Sequence, residues 1–591
     1  MCGIVGYIGR EQAAPILLEE LSRLEYRGYD SAGVAAFDGQ TGSLAVRKAK
    51  GRLQVLSDQL HGGADLDSTA GVGRSGKIAV VHNGIIENYA ELKAFLMNQG
   101  VSFTSETDAE VVAQLIEYFY DGDLLQAVGR VLHRIQGAYA LGILCADCAD
   151  QIIAVRKDSP LILGYGEGCN FIASDVTAIL RHTRRVGYME DGELAVLTRE
   201  GIQCYNHLMQ PIEKEIVTVD WEIDAAEKGG YEHFMFKEIM EQPEALRRCL
   251  SPRIREGEVV FEDFSLSKDF LQNMRRIYIV ACGSSCHVGM VGKYHLERLT
   301  RIPVEVALGS EFRYMDPIVD RHTLVIVISQ SGETLDTMAA LREARRLGGR
   351  ILSIVNVVGS SIARESDQVL YTWAGPEIAV ATTKAYTTQL ALLSLLALWL
   401  GKRLGTVPEK DRREMVAAFR ELPGKMEEVL SHRDDIQYFA SQHFNHDSIF
   451  FMGRNLDYAL GLEGSLKLKE ISYIHSEAYA SGELKHGTIS LIEDGTLVVA
   501  LGTYGKLFAK AMSNVVEVKS RGASVLALTT YPHQEEMART ADVVMTIPDI
   551  HTLLLPILGV VPLQLFAYYV ALMRGCDIDK PRNLAKSVTV E

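Results

Sequence analysis

At 591 residues the chain is too long to fold around a single hydrophobic core, so about two to four domains are expected. Its net charge of −16 argues against a basic surface for nucleic acid, and we predict no nucleic-acid partner. The nine cysteines are scattered without a disulfide framework, and no secretory signal opens the sequence. We therefore expect a protein of the reducing cytoplasm.

Two apolar stretches have the composition of membrane spans. Residues 385–400 are too short to cross a bilayer, and residues 553–573 contain prolines and a glutamine. Buried helices of a large α/β core explain both stretches better, so we predict no membrane partner.

The chain begins MCGIVGYIG, and Cys2 directly follows the initiator methionine. Removal of that methionine would leave Cys2 with a free α-amine beside its thiol, which together form a nucleophile and its base. The alternative is a small cysteine buried near the start of a strand. A helix is expected to follow at residues 13–24.

A strand is predicted at residues 77–81, just before Asn83 and Gly84. An Asn-Gly pair is typical of a turn, although it can also offer an amide side chain and a backbone N–H to a developing oxyanion. Asp108 lies where a loop meets the next predicted helix. By itself, it has the position of an ordinary helix-start carboxylate.

Four motifs in residues 1–217 resemble those of the class II glutamine amidotransferase family and occur in its order: CGIVGYIG, YRGYDSAG, HNGIIENY and SETDAEV. The resemblance implies an N-terminal-nucleophile αββα fold. It also implies that Cys2 attacks the side-chain amide of glutamine, while Asn83 and the Gly84 N–H stabilise the tetrahedral oxyanion. Asp108 would hold the glutamine α-amino group, and Arg27 would help to organise the pocket.

One departure from this family precedes the HNG motif. The family carries an Arg-Trp-Ala-Thr-His-Gly segment and a His-Pro-His stretch there, whereas this chain has only residues 68–76, STAGVGRSG. The missing segment would supply the arginine for the glutamine α-carboxylate and a tryptophan associated with ammonia passage. The neighbours of Arg74 do not match, so it is not assigned that role. Loss of such an arginine costs about 2–5 kcal/mol of binding, which makes an impaired glutaminase an alternative.

Residues 218–265 are predicted to be a connector with a first helix, and helix-like residues 236–250 contain a break at Pro243. Further on, residues 323–328 form an apolar run typical of a strand buried on both faces, and residues 335–347 have the pattern of a helix.

The turn between that strand and helix, SQSGET, is rich in hydroxyls. Free backbone N–H groups and the positive end of the helix dipole favour an anion there. Because one hydroxyl suffices for an N-cap, the extra ones predict a site for a phosphate monoester; a dense helix cap is the alternative.

The second half of the chain repeats itself after about 170 residues. Gly283 pairs with Gly453 at an offset of 170, and Gly332 pairs with Gly505 at an offset of 173. Each copy alternates strands and helices, which predicts two doubly wound parallel sheets, at residues 266–410 and 435–578. Only the first copy has the hydroxyl-rich turn; the second has residues 502–505, GTYG.

These two copies resemble the sugar isomerase domains. The resemblance rests on SQSGET, on VATTK at residues 380–384, on GELKHG at residues 482–487 and on the tail PRNLAKSVTVE. Joined to the N-terminal domain, they resemble the glutamine–fructose-6-phosphate aminotransferase (isomerising) family. The fold class implied is therefore α/β and multidomain, with the glutaminase domain first and the two sugar isomerase domains after it.

The chemistry of that family needs imine formation and a proton shift between two sugar carbons. The resemblance implies that Lys586, in the active-site tail at 579–591, forms the Schiff base and that Glu470 is the isomerising base. Lys467 would be the neighbour of Glu470, and His486 would open the sugar ring. The alternatives are a solvated tail lysine, a surface helix ion pair, and a hydrogen-bonded histidine beside a glycine turn.

The same resemblance implies the substrate contacts. The phosphate would be held by Ser329, Gln330, Ser331 and Thr334. The sugar would lie near Ser285, Val380, Thr382 and Ala585. No metal or cofactor is expected, and a homodimer is implied.

The sequence therefore predicts synthesis of glucosamine 6-phosphate from fructose 6-phosphate, with nitrogen from glutamine. One alternative is an ammonia-dependent aminating isomerase with an impaired glutaminase. A second is a non-catalytic regulator that binds a sugar phosphate. The presence of Glu470, His486 and Lys586 argues against the regulator, because binding alone needs none of these side chains.

Overall fold

A computed structural model describes residues 3–25, 31–38, 41–61, 75–219, 228–262 and 264–588. Cys2 and Arg27 lie outside the described residues, as does most of the stretch at 68–76. The chain divides into two compact units, Met1–Ile223 with Ser587–Glu591, and Asp224–Lys586. Each unit is described by itself.

The first unit contains two antiparallel sheets. Its strands are β1 (Val5–Ile8), β2 (Ser31–Asp38), β3 (Ser43–Lys50), β4 (Ile78–Ile86), β5 (Gly137–Cys145), β6 (Ile152–Lys157), β7 (Ile162–Tyr165), β8 (Asn170–Ala173), β9 (Arg185–Tyr188), β10 (Leu194–Leu197), β11 (Ile202–Tyr205), β12 (Pro211–Ile212) and β13 (Val217–Thr218). The strand orders are β1-β8-β7-β9-β13 and β12-β11-β10-β6-β5-β4, while β2 and β3 form a separate hairpin.

Helices cover the outer faces of these sheets. They are α1 (Ala13–Leu24), α2 (Leu53–His61), α3 (Tyr89–Asn98), α4 (Asp108–Phe119), α5 (Leu124–Leu132) and α6 (Val176–Ile179). Strand β1 illustrates the layering, because Ile8 joins the core between the sheets whereas Tyr7 packs with α1. On the other side, α3, α4 and α5 pack on the second sheet. The predicted αββα fold and the helix at residues 13–24 are confirmed.

The alternative prediction, an Asn-Gly turn at residues 83 and 84, is wrong. Both lie inside β4, where Asn83 is opposite Ala140 and Gly84 is opposite Tyr139. Gly84 has a φ of 129°, and a Cβ built on it would lie 2.0 Å from the Ala138 carbonyl oxygen. Only glycine fits this close strand pairing, so the glycine signals close approach and not chain reversal.

The second unit carries the repeat. Its helices are α7 (Phe234–Met240), α8 (Gln242–Leu250), α9 (Lys268–Asn273), α10 (Gly283–Thr300), α11 (Gly309–Phe312), α12 (Leu335–Arg346), α13 (Ser361–Glu365), α14 (Lys384–Leu404), α15 (Glu409–Ser431), α16 (Arg433–His443), α17 (Leu456–Ser472), α18 (Phe508–Lys519), α19 (Gln534–Met537) and α20 (Leu555–Met573). The break predicted near Pro243 separates α7 from α8, with the proline in the first turn of α8.

Two parallel sheets of five strands lie among these helices. The strands of the unit are β14 (Ile254–Arg255), β15 (Glu258–Val259), β16 (Arg276–Ala281), β17 (Val304–Leu308), β18 (Thr323–Ser329), β19 (Arg350–Val355), β20 (Gln368–Tyr371), β21 (Ser448–Gly453), β22 (His475–Ala480), β23 (Leu497–Gly502), β24 (Ser524–Thr530) and β25 (Val543–Ile547). The orders β17-β16-β18-β19-β20 and β22-β21-β23-β24-β25 are equivalent, which confirms the duplicated doubly wound domain. The predicted strand and helix around SQSGET are confirmed as β18 and α12.

The two apolar stretches are buried helices. Helix α14 packs against α10, and α20 packs against α17. Within the described residues, one helical segment, Thr552–Met573, is long and apolar enough to cross a membrane, and its most apolar window is 100% buried inside the protein. A single apolar core includes residues from both repeats and from α14 and α20.

Candidate active site

In the first unit, the end of β4 is joined to the start of α4. The Asp108 carboxylate accepts a hydrogen bond from the Ile86 N–H at 3.0 Å, and its other oxygen lies 3.5 Å from His82 Nδ1. Burial raises the pKa of Asp108, but the His82 contact and two backbone N–H groups outweigh it, so the pKa falls below its usual value. Asp108 is the first residue of α4 and also contacts β4, so it is more than a helix-start carboxylate.

The Asn83 side chain lies on the same strand end, and only 2% of its surface is exposed. Its Nδ2 is buried and has no hydrogen-bond partner among the described residues. Burying an amide donor without a partner is costly, so this donor is suited to a substrate oxygen. The structure thus brings Asn83, Gly84 and Asp108 together.

In the second unit, the SQSGET turn lies at the carboxyl edge of the first parallel sheet. The Ser329 hydroxyl accepts a hydrogen bond from the Gly332 N–H at 3.0 Å and lies 3.2 Å from Thr334 Oγ1. Ser331 Oγ accepts from the Glu333 N–H at 3.2 Å. The hydroxyls of the turn therefore lie at the N-terminus of α12, where an anion is favoured.

Ser285 shares this sheet edge, because it follows β16 and β16 pairs in parallel with β18. It lies in the first turn of α10, and its hydroxyl donates to Gln389 Oε1 at 3.1 Å. A predicted sugar contact and the predicted phosphate turn thus lie at the same edge of the sheet.

The tail lysine is buried and paired. Lys586 Nζ lies 2.6 Å from Glu377 Oε2 and 3.3 Å from Thr382 Oγ1. The Lys586 and Glu377 side chains are only 3% and 0% exposed, so the solvated-tail alternative is wrong. Ala585, the residue before Lys586, is half-buried, and the Val380 N–H donates to the Asp579 carbonyl at 3.0 Å, which joins the tail to the loop before α14.

Glu377 is held as an anion. Its other oxygen, Oε1, accepts from the Thr383 and Ala385 N–H groups at 2.9 and 3.0 Å, at the N-terminus of α14. Burial alone would raise the pKa of Glu377, but the Lys586 charge and these hydrogen bonds bring it below its usual value.

A second ionic group lies on α17. Lys467 Nζ is 2.5 Å from Glu470 Oε2 and 3.6 Å from Glu463 Oε1. The Lys467 side chain is 1% exposed, so the alternative prediction of an ion pair on a helix surface is wrong. Burial lowers the pKa of Lys467, but the charges of Glu470, Glu463 and Glu377 raise it above its usual value. Glu377, the partner of Lys586, is among these charges, so the two ionic groups lie near each other.

Glu463 connects this group to the first repeat. Its carboxylate accepts from Ser284 Oγ at 2.9 Å and lies 2.8 Å from His287 Nδ1, both on α10. The first repeat therefore contributes the phosphate turn and the start of α10, and the second contributes Glu463, Lys467 and Glu470.

His486 is not brought into this group. It lies in a short 3₁₀ turn, Glu483–His486, and is exposed. Among the described residues no hydrogen bond or ion pair joins His486 to Glu470 or Lys586. Its role in ring opening stays a prediction.

Sequence reasoning missed two buried carboxylates, Glu377 and Glu463. Glu463 could have been found by helical spacing, because it lies four residues before Lys467 and seven before Glu470 on an apolar helix. Glu377 has a weaker signal, a single charge in the apolar stretch GPEIAVA at 375–381.

Family models agree with this arrangement. A glutamine amidotransferase domain matches residues 1–223, and a SIS domain matches residues 270–399 and again 444–574. Full-length relatives decide the family: the glutamine–fructose-6-phosphate aminotransferase (isomerising) of Caldanaerobacter subterraneus subsp. tengcongensis is 53% identical over 611 positions, covering 100% of both chains. The chain belongs to the glutamine–fructose-6-phosphate aminotransferase (isomerising) family.

More distant members of this family match over the whole chain as well. The protein of the same name from Methanosarcina acetivorans is 45% identical over 624 positions, again covering 100% of both chains. Among solved structures, the C-terminal domain of glucosamine-fructose-6-phosphate aminotransferase from Francisella tularensis is 36% identical, with a TM-score of 0.58, and covers 60% of this chain and 100% of that one. The 611-position alignment of a 591-residue chain contains gaps in this chain.

Proposed function

We propose that the chain makes glucosamine 6-phosphate and glutamate from fructose 6-phosphate and glutamine. The observation that carries the proposal is the buried Lys586–Glu377 pair, whose carboxylate also acts on the charge of Lys467 beside Glu470. Burial of a lysine and a carboxylate carries a desolvation cost and adds little stability. A buried pair in the tail therefore favours a functional role, and a lysine amine can form an imine with the sugar carbonyl. Family membership supports the same reaction.

In this proposal, the turn at Ser329–Thr334 binds the phosphate, and Ser285, Val380, Thr382 and Ala585 lie near the sugar. Lys586 attacks the C2 carbonyl of the open-chain sugar, and Glu470 moves the proton between C1 and C2, with Lys467 holding its carboxylate in place. A carboxylate that is hydrogen-bonded at one oxygen keeps the other available for proton transfer, which suits Glu470. No metal or cofactor is needed for these steps.

The first unit would supply the nitrogen. Cys2 would attack the glutamine amide, Asn83 Nδ2 and the Gly84 N–H would stabilise the oxyanion, and Asp108 and Arg27 would bind the substrate. The unpartnered Nδ2 of Asn83 supports this assignment.

An impaired glutaminase is the second candidate, because the segment with the carboxylate-binding arginine is missing. The test compares product formation with glutamine and with ammonium chloride. We expect product with both donors and a raised KM for glutamine, and we expect Cys2→Ala to abolish only the glutamine-dependent reaction. Equal efficiency with both donors would exclude an impaired glutaminase. No product with either donor would favour the sugar-phosphate-binding regulator.

We also propose a cytoplasmic homodimer. His486 is exposed and has no hydrogen bond or ion pair with Lys586 among the described residues, so a ring-opening role for it favours a site completed by a second copy. Sedimentation of the purified protein tests this proposal, since a monomer that is fully active would contradict it.

A further inference from the structure

Two buried glutamates contact the same short loop before α14. Glu377 binds Lys586, whereas Glu238, on α7, accepts hydrogen bonds from the Ile378 and Ala379 N–H groups at 2.5 and 3.1 Å. Glu238 is 2% exposed, and its Oε2 has no partner among the described residues. The two carboxyl groups are close enough to affect each other's charge.

The proposed reaction sets a requirement on the group that faces Lys586. The lysine ammonium and the C2 carbonyl combine to give a protonated imine and water, so the C2 oxygen leaves with two of the three nitrogen protons. Ammonia then adds to this carbon and displaces the lysine as a free amine, while the positive charge passes to the new imine. The site carries one positive charge before, during and after the exchange, so a permanent anion suits it better than a base that takes the proton.

We propose, resting on the function above, that Glu377 is a catalytic counter-ion that keeps the Lys586 imine protonated. One Glu377 oxygen is 2.6 Å from Lys586 Nζ, the reacting atom, and the other is fixed by two N–H groups at the start of α14. A carboxylate with both oxygens engaged in this way is preorganised as an anion. A protonated imine is the more electrophilic form, so its counter-ion speeds attack by ammonia.

Glu238 has the opposite protonation state. Burial and the negative charge of Glu377 raise the pKa of Glu238 to about 8, so it is neutral at pH 7. Two buried carboxylates side by side would repel, and a neutral Glu238 leaves Glu377 as the anion for Lys586. Glu238 contacts neither Lys586 nor the predicted substrate residues by side chain, which makes it a matched control for Glu377.

Other charged groups also act on this pair. The charges of Lys586 and, to a smaller extent, of Lys384 at the start of α14 lower the pKa of Glu238, and Lys384 is paired with Glu241 at 2.6 Å. The charge of Glu377 also raises the pKa of Lys467 on α17. Lys384 and Lys467 are present in either glutamate variant, so they cannot account for a difference between the two.

The experiment compares Glu377→Gln with Glu238→Gln, each a neutral isostere of its glutamate. Fructose 6-phosphate and sodium cyanoborohydride, which reduces protonated imines, trap the Lys586 adduct for mass spectrometry between pH 6 and pH 9. We expect Glu377→Gln to lower ammonia-dependent kcat about 100-fold. As the pH is raised, the trapped adduct of this variant should disappear at a pH at least one unit lower than in the wild type. We expect Glu238→Gln to follow the wild-type profile between pH 6 and pH 7, where Glu238 is neutral in the wild type, with kcat within about threefold there.

A wild-type pH profile for Glu377→Gln, or equal effects of the two variants, would overturn the counter-ion. If Glu377→Gln fails to fold, Glu377→Asp keeps the charge, and it should retain the wild-type profile with a lower kcat; a shifted profile would contradict the proposal. Absence of both product and adduct in the wild type would instead reject the proposed function.

Discussion

The two sugar isomerase repeats differ in what satisfies the turn after their third strand. In the first repeat, the turn after β18 offers the hydroxyls of Ser329, Ser331 and Thr334. In the second, Asp457 fills the turn after β23: its Oδ2 accepts from the Thr503 and Tyr504 N–H groups, both at 3.1 Å, and its Oδ1 accepts from Thr503 Oγ1. The second repeat carries its own anion in this turn, whereas the first has hydroxyl side chains there.

One aligned position contributes to the difference, together with the residues of the two turns. Asp457 lies 170 residues after His287, the same offset that relates the glycines at 283 and 453. His287 contacts Glu463 and presents no carboxylate to the first turn. A single acidic residue that binds the backbone donors of a turn can therefore occupy a duplicated anion site. Phosphate binding at the first turn alone stays a prediction.

The largest expected effect comes from placing an acid in the first turn. Ser331→Asp should raise the KM for fructose 6-phosphate at least 100-fold, because a carboxylate beside a phosphate dianion costs several kcal/mol. Steady-state kinetics with ammonium chloride measures it. Ser331→Asn is the neutral control of similar shape and should raise KM much less. Equal effects of Asp and Asn would argue against a phosphate at this turn.

Removal of the internal anion should destabilise the second repeat. Asp457→Ala leaves the N–H groups of buried Thr503 and half-buried Tyr504 without these partners, which costs about 2–4 kcal/mol. The shift of the urea midpoint measures this, and KM for the sugar phosphate should stay unchanged because Asp457 lies in the other repeat. A raised KM would contradict the division of labour between the repeats.

The same residue predicts a pH dependence. Burial raises the pKa of Asp457 to about 6, above the unfolded value of 3.8. As pH rises from 4 to 6 the unfolded state loses this proton before the folded state does, so wild-type stability falls through that window. Asp457→Asn lacks this titrating group. The free energy of unfolding of the wild type should therefore fall relative to that of Asp457→Asn as the pH rises from 4 to 6.

The repeats could be recognised from sequence because local patterns define them. Apolar β-branched runs predicted strands such as β18, and near-constant offsets predicted the duplication. The Asn-Gly pair suggested a turn that does not form, because the pairing of β4 with β5 decides the conformation of Gly84 and local turn preference does not.

The site was only partly accessible from sequence, for a physical reason. Family motifs pointed to Lys586, to Glu470 and to its helix neighbour Lys467, but the partner of Lys586 depends on a tertiary contact. Lys586 meets Glu377 across 209 residues, and Asp457 meets the second turn across 46. No spacing rule spans such separations, and a buried carboxylate looks like any other acid until its surroundings are known.

The smallest expected effect tests a single hydroxyl. Ser331→Ala removes one donor from the first turn while leaving its backbone N–H groups, so KM for fructose 6-phosphate should rise about 5- to 10-fold, as expected for one hydrogen bond to a charged group. Tyr504, at the equivalent position of the second turn, provides the matched control, and Tyr504→Phe should leave KM unchanged. An unchanged KM in Ser331→Ala would contradict the phosphate assignment. A similar rise in both variants would show that the two turns are not functionally distinct.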